Sequence, residues 1–377
     1  MDDPQQEFIQ QCLLAHCDIA ARDRLRNDAA QTTIDWDRVR QIAAQERLAP
    51  LLYDIVRDTG ILPAAVERDL RDSYYETARR NLVLWYELRL VLRALAATGI
   101  RVVVLKGVAL AETVYDNVAQ RPMADVDLLV APTDLERLIE ALRALGYAPP
   151  PIEMRTGTMA AYENEILLSA AKRADFDIHW SLFDSPFHQH TVPMDWFWAT
   201  ARPLIIDTME SLMLGPEATL LHLCGHVWLH HGGTPLLWMH DVARTIAYDR
   251  GPFDWDELVR RARAYHLVLP TQRVLSRVAD EWAVPVPEEV LRELAALQPS
   301  ADELRTFKWL TAERRGVAQR LWTDLRGMPG WRRRLRFAWT LLFPSPRYMR
   351  ARYDIRHPLL LPWYYVYRWM LGLRSAV

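Results

Sequence analysis

From residue 5 to about 98, apolar residues recur at spacings of three and four, the period of amphipathic helices. The segments "IDWDRVRQIAAQERLAPLLYDIV" and "RRNLVLWYELRLVLRALAATG" carry that pattern most clearly; Gly60 and Pro63 punctuate a loop between them, and Gly99 ends the last helix. The period then changes. "IRVVVLKG" is a β-branched run of the kind that forms a strand buried on both faces, and "VALAETVYDN" (108–117) predicts a short helix. "MADVDLLVAP" predicts a second strand, with Asp125, Asp127 and Leu129 on one side and Val126, Leu128 and Val130 on the other. In "PTDLERLIEALRALGY", Thr133 and Glu136 have capping-box spacing and Gly146 marks a helical stop. After a "PPP" loop at 149–151, "NEILLSA" and "KRADFDIHWSLF" predict two paired strands, the second placing Asp175, Asp177 and His179 on one face.

From about residue 209 the helical period returns in "MLGPEATLLHLCGHVWLHHGG", "PLLWMHDVARTIAYD" and "FDWDELVRRARAYHL", where Asp254 and Glu257 stand as an N-cap and its partner. No internal repeat or low-complexity segment interrupts the chain. The expected fold class is α+β, a small mixed β-sheet core flanked by helical regions. Its divisions are a helical region at 1–98, the α/β core at 99–205, a helical domain completing a cleft at 206–316, and an Arg- and aromatic-rich helical tail at 317–377.

Composition narrows the function classes only a little. A formal net charge of −2 over 377 residues gives no overall attraction to nucleic acid or anionic lipid. Cys12, Cys17 and Cys224 form neither a disulfide framework nor a metal-ligand spacing, so a reducing cytoplasm is the expected compartment. The start "MDDPQQEFIQQ" is acidic and polar, unlike a secretory or transit peptide. No stretch offers the roughly 20 apolar residues of a membrane span. The basic residues are almost all arginine; Lys106, Lys172 and Lys308 are the only lysines, which singles out Lys106 as a compact point charge.

The chemistry lies in the second predicted strand. Carboxylates at i and i+2 project the same way, roughly 6–7 Å apart, and burying both without a counter-charge costs several kcal/mol. A divalent cation resolves the conflict, because Mg²⁺ (or Mn²⁺) takes hard oxygen ligands from one or two carboxylates together with substrate phosphates. Such pairs can bridge two metals for in-line phosphoryl or nucleotidyl transfer, with a third acid from a neighbouring strand; Asp177 in "FDIHW" is the best candidate.

Gly107, "ADVDLLV" and the later strand acid resemble the nucleotidyltransferase fold of the DNA polymerase beta superfamily. More narrowly, "LKGVALAETVY", "RPMADVDLLV", "DIHWSLF" and "HDVA…FDWDELVRRA" resemble the bacterial uncharacterised nucleotidyltransferases, over about 35 to 365. The resemblance implies that Asp125 and Asp127 bind metal. It makes Asp177 the third acid, ligating the metal that activates the acceptor hydroxyl or serving as its base. It also implies that Gly107 lets nucleotide phosphates approach the backbone. The superfamily's serine after the glycine turn is replaced here by Val108, and Lys106 before the glycine is the expected phosphate contact instead. The function so implied is transfer of a nucleoside monophosphate from an NTP, ATP first among them, to a hydroxyl acceptor: a sugar, a peptide, a protein or an RNA end. Transfer of another phosphorylated or nucleotide-activated group such as a sugar, or a non-catalytic nucleotide-binding adaptor, are the alternatives.

Several further residues carry two readings each. Arg121 could clamp a phosphate bidentately or pair with Asp125 or Asp127. His179 could orient Asp177, touch substrate, or be structural; Asp175 beside Arg173 reads as a surface ion pair. His222, His226 and His230 recur at i, i+4 and i+8, but Leu, Cys and Gly separate the first two where a zincin-like site needs glutamate. The expectation is a helix at the domain junction, with His226 and His231 lining the cleft and Asp241 facing it. The tail interleaves arginine with aromatics, a pattern for RNA or a membrane surface, although a solvated helical region is the favoured reading.

Overall fold

The computed structural model describes residues 3–18, 21, 25, 34–149, 164–183, 185–233, 235–248, 253–311, 325–328 and 330–374. Its strands are β1 (Val102–Val104), β2 (Asp125–Val130), β3 (Glu165–Leu168), β4 (Asp175–His179), β5 (Arg202–Ile206) and β6 (Met209–Met213). They form one six-stranded mixed sheet in the order β3-β4-β2-β1-β6-β5. The α+β class is as the hydrophobic pattern implied. β2 runs parallel to β4, and β1 runs antiparallel to β2 and parallel to β6.

Strand alternation divides the two cores. Val103 and Leu129 enter one apolar cluster, while Val102, Val104, Val126, Leu128 and Val130 enter the other. The second cluster is closed by α4 (Ala64–Ala97), through Leu84, Leu88, Val91, Leu92 and Leu95, and by α6 (Leu135–Ala144). The first is closed by α1 (Pro4–Cys17), α2 (Trp36–Gln45), α3 (Ala49–Val56), α9 (Pro216–Gly225), α10 (Leu236–Tyr248), α11 (Trp255–Ala264) and α12 (Val268–Trp282). Helices on both faces bury β1 completely, which accounts for its unbroken β-branched run. Helices α15 (Trp331–Leu342), α16 (Pro346–Tyr353) and α17 (Leu361–Arg374) form the tail. Among the described residues, no helix is long and apolar enough to cross a membrane.

Four local readings are corrected. The sheet continues past 205, because β5 and β6 form a hairpin where helix was expected from 209. Asp207 makes its tight turn with φ 57° and pairs with Arg89. The helix read at 108–117 is α5 (Lys106–Thr113), starting at the lysine. Thr133 does not cap α6, since Pro132–Asp134 forms a 3₁₀ turn and the helix starts at Leu135. Asp254 does cap α11, accepting from Glu257 N at 2.8 Å, but the Glu257 carboxylate turns to Arg260 and Arg261. The end of the "PPP" loop lies outside the described residues.

Candidate active site

The parallel register of β2 and β4 sets Asp125 opposite Asp175, Asp127 opposite Asp177 and Leu129 opposite His179. Adjacent strands lie about 4.8 Å apart, so Asp125, Asp127 and Asp177 share one face of the sheet. All three aspartates proposed from the sequence are therefore neighbours. Asp175 also lines up on the register, but Arg173, its expected ion-pair partner, is bound to Glu87.

Asp127 is the hub. Leu105 N donates to the Asp127 backbone oxygen at 3.0 Å, which brings the next residue alongside the carboxylate. Lys106 Nζ donates to Asp127 Oδ1 at 2.9 Å, and His179 Nε2 lies 2.9 Å from the same oxygen. His179 Nδ1 lies 3.0 Å from Glu165 Oε2 on the neighbouring strand. Lys106 adopts φ 34°, left-handed for a residue with a side chain, so the backbone is held in a disfavoured state where the ion pair forms. Burial would raise the Asp127 pKa, but Lys106 and His179 overcome it and hold the carboxylate below its usual range.

Asp125 and Asp177 contrast with it. Neither has a hydrogen-bond or ion-pair partner among the described residues. Burial, then the charges of Asp127, Asp125 and Glu165, push Asp177 up to about 6. Burial and Asp127 raise Asp125 in the same way. The site is thus one anchored carboxylate beside two that repel it and each other.

Among the described residues, no three His, Cys, Asp or Glu side chains are arranged as a ready metal cage. The donor chemistry nevertheless suits a hard divalent cation: two unpartnered carboxylates with raised pKa, and a second oxygen on Asp127 that neither Lys106 nor His179 takes up.

Both cations proposed as phosphate contacts are ion-paired to carboxylates. Lys106 is half-buried and paired with Asp127. Arg121 pairs with neither Asp125 nor Asp127. Its Nη2 donates to Asp241 Oδ2 at 2.7 Å and its Nε to Asp241 Oδ1 at 3.0 Å, while Tyr115 Oη donates to the same Oδ1 at 2.7 Å. Asp241 is fully buried in this pair and does not face a cleft. Gly107 also has a packing reason: a Cβ there would lie 2.8 Å from Met123 Sδ and 3.0 Å from Arg121 Nη1. From α4, Asn81 Nδ2 donates to the Arg121 carbonyl at 2.9 Å and fixes the segment entering β2.

The histidines form a wall behind Lys106. His222 is buried with neither ring nitrogen hydrogen-bonded among the described residues, and His226 Nε2 lies 3.1 Å from His231 Nε2. The turn at His226–His230 is π-helical, with the His226 and His230 rings 4.9 Å apart, and the His231 ring lies over Trp238 at 3.5 Å. Burial, then neighbouring cations, push His222 and His226 well below the ordinary histidine value and His231 to about 4. They are neutral near pH 7.

His179 behaves oppositely. Burial disfavours its cation, but hydrogen bonds to Asp127 and Glu165 outweigh that and push its pKa to about 9. A folded pKa raised above 6.5 contributes stability that is full below pH 6.5 and is lost as pH rises through about 9. The urea midpoint of the metal-free protein is expected to fall across that window, and the fall to flatten in His179→Gln. An equal slope in both proteins would remove His179 from this role.

Sequence reading missed Glu165. Its only signal is its place at the start of a strand, and its pairing with His179 depends on the β3–β4 register.

The family model described as "Uncharacterised nucleotidyltransferase" matches residues 32–282. A solved structure, an antigenic nucleotidyltransferase-like protein from Paracoccidioides brasiliensis, is similar over 59% of this chain and 96% of its own, at 12% identity and a TM-score of 0.38. That likeness is too distant to carry chemistry. No curated protein matches.

Proposed function

The chain belongs to the uncharacterised nucleotidyltransferase family, and from that premise we propose that it transfers a nucleoside monophosphate from a nucleoside triphosphate, ATP first among them, to a hydroxyl group. The observation that carries the reading is the shared face of Asp125, Asp127 and Asp177 on adjacent parallel strands, two of them unpartnered. These three would hold Mg²⁺ or Mn²⁺. A cation bound there supplies charge neutralisation for the phosphates and the departing pyrophosphate.

The chain's own residues divide the remaining work. Lys106 and His179 fix Asp127 so that one oxygen stays oriented away from them. Asp177, opposite Asp127 on the neighbouring strand, is the acceptor for the hydroxyl proton. The hydroxyl oxygen forms the new bond to the α-phosphorus, and the bond to the bridging oxygen of pyrophosphate breaks. Pyrophosphate leaves with that electron pair, and the proton passes to Asp177 and on to solvent. The second substrate belongs to the class of sugars, peptides, protein side chains or RNA ends.

The test is NTP turnover with Mg²⁺ or Mn²⁺, with mass spectrometry of candidate acceptors incubated with each NTP. An acceptor gaining the mass of a nucleoside monophosphate supports the reading. Nucleotide binding without turnover, unchanged in Asp125→Ala/Asp127→Ala, would leave a non-catalytic adaptor; an acceptor gaining only a sugar would move the reading to nucleotide-sugar transfer.

A further inference from the structure

Helices α2, α3, α4 and the Pro122–Met123 segment just before β2 line a cavity of 460 Å³. Its floor is apolar, from Ala43, Pro50, Leu70 and Met123. Of its cations, Arg40 is tied to Asp37 and Asp69, whereas Arg47 and Arg80 form no contact ion pair among the described residues. Glu76, the remaining acid of the wall, pairs with Arg79 outside it.

Arg47 also occupies an unusual backbone position. Leu48 N bonds to Ala43 O at 2.7 Å and Arg47 N to Ala44 O at 3.2 Å, which is the Schellman end of α2. Its left-handed position, φ 58°, is one that glycine fills at no steric cost. The helix end itself therefore does not call for arginine. Arg47 is also close enough to stabilise the Asp125 carboxylate.

We propose that this cavity binds a phosphate-bearing part of the substrate, with Arg47 and Arg80 gripping the phosphate beside Asp125. The proposal rests on the nucleotidyl-transfer reading of the same site. It supplies the phosphate contacts that Lys106 and Arg121, held by Asp127 and Asp241, do not. The size suits a sugar or nucleoside unit, and the apolar floor suits its uncharged face. The phosphate has two sources, the NTP tail or a phosphorylated acceptor.

Titration calorimetry with inorganic pyrophosphate and Mg²⁺ reads the first source, and glycerol 3-phosphate the second. Wild type is expected to bind one of them, and Arg47→Gly and Arg80→Ala each to weaken that binding by about tenfold or more. Arg47→Gly should meanwhile melt no lower than wild type, since glycine relieves the left-handed strain. Unchanged affinity in both variants, or no binding of either probe by wild type, overturns the pocket. Binding is read without turnover, so loss of the transfer reading alone would leave these affinities in place.

The tail carries a second, independent inference. On α15, Trp331, Leu335, Trp339 and Leu342 are exposed and fall at i, i+4, i+8 and i+11, one helix face. On α17, Trp363, Val366, Tyr367, Met370 and Leu371 are exposed at i, i+3, i+4, i+7 and i+8. Trp331 is 67% and Trp363 73% exposed, far from the burial such side chains ordinarily reach. The helices are joined: Trp369 Nε1 donates to Leu342 O at 2.8 Å, and Phe343 packs on Trp369. Asp354 is the only acid between 331 and 374, while Arg332, Arg333 and Arg336 are exposed on α15.

We infer that this hairpin of helices lies on an anionic bilayer surface, its tryptophans and leucines entering the interface and its arginines meeting the headgroups. Co-sedimentation of the full chain with vesicles of phosphatidylcholine, with and without phosphatidylserine, tests it. Binding is expected with phosphatidylserine alone, to weaken with salt, and to fall about tenfold or more in Trp331→Ser/Trp363→Ser at unchanged circular dichroism. No vesicle binding overturns the inference, whether the surface proves to join two copies, seen as a dimer that the variant dissociates, or to retain RNA.

Discussion

Asp241→Ala is expected to destabilise the protein by about 3–5 kcal/mol, because it leaves the Arg121 guanidinium buried without a counter-charge. That corresponds to a melting temperature lower by roughly 10 °C. Arg121 is held in the charged form: burial opposes it, but Asp241 more than compensates. With the carboxylate gone, that cation must be desolvated for nothing, and Tyr115 Oη loses its acceptor too. The pair spans the chain, tying the segment before β2 to α10, 120 positions later. Its loss should therefore loosen the site as well as the fold. Urea unfolding of Asp241→Ala, Arg121→Met and Arg121→Met/Asp241→Ala measures it. The double variant should lose less than the two singles added, since no buried charge remains. Strict additivity would show that the residues do not act as a pair.

That pair also shows which parts of the site were legible in the sequence. "DVD" within an apolar run fixes two acids on one face through the two-residue period of a strand, and "FDIHW" offers the third in the same way. Each of those inferences is local. The partners of Arg121, Lys106 and His179 are settled by strand register and by a helix far along the chain, which periodicity does not encode. Arg47 was invisible for the same reason, being one arginine among many until the cavity walls meet. The β5–β6 hairpin escaped notice because its turn uses Asp207 and Thr208 without the usual glycine, and because Ile205 faces solvent. Thr133 was misread because Pro132 starts a 3₁₀ turn ahead of the helix. Patterns that alternate along one element survived, and contacts between elements did not.

The acids themselves give the other large effect, and two of them should separate. Asp127→Asn and Asp177→Asn are each expected to cut kcat by roughly 10²–10³-fold, the loss that follows removal of one preorganised charged group. Their effects on stability should have opposite signs. Asp127 is held by Lys106 and His179, so neutralising it leaves two cations facing an amide, and the melting temperature should fall. Asp177 is repelled by its neighbours. With a folded pKa of about 6 against an ordinary 3.8, the native state binds more protons than the unfolded chain between those values, and stability falls as pH rises through that window. At pH 7 in EDTA, Asp177→Asn removes the repulsion and should melt no lower than wild type. Mg²⁺ should then raise the melting temperature of wild type more than that of the variant, because the cation relieves the same repulsion. Parallel melts in EDTA and in Mg²⁺, alongside turnover, separate the two residues. A lower melting temperature for Asp177→Asn in EDTA would mean that its carboxylate is bonded within the fold, leaving it no freedom to take the acceptor's proton.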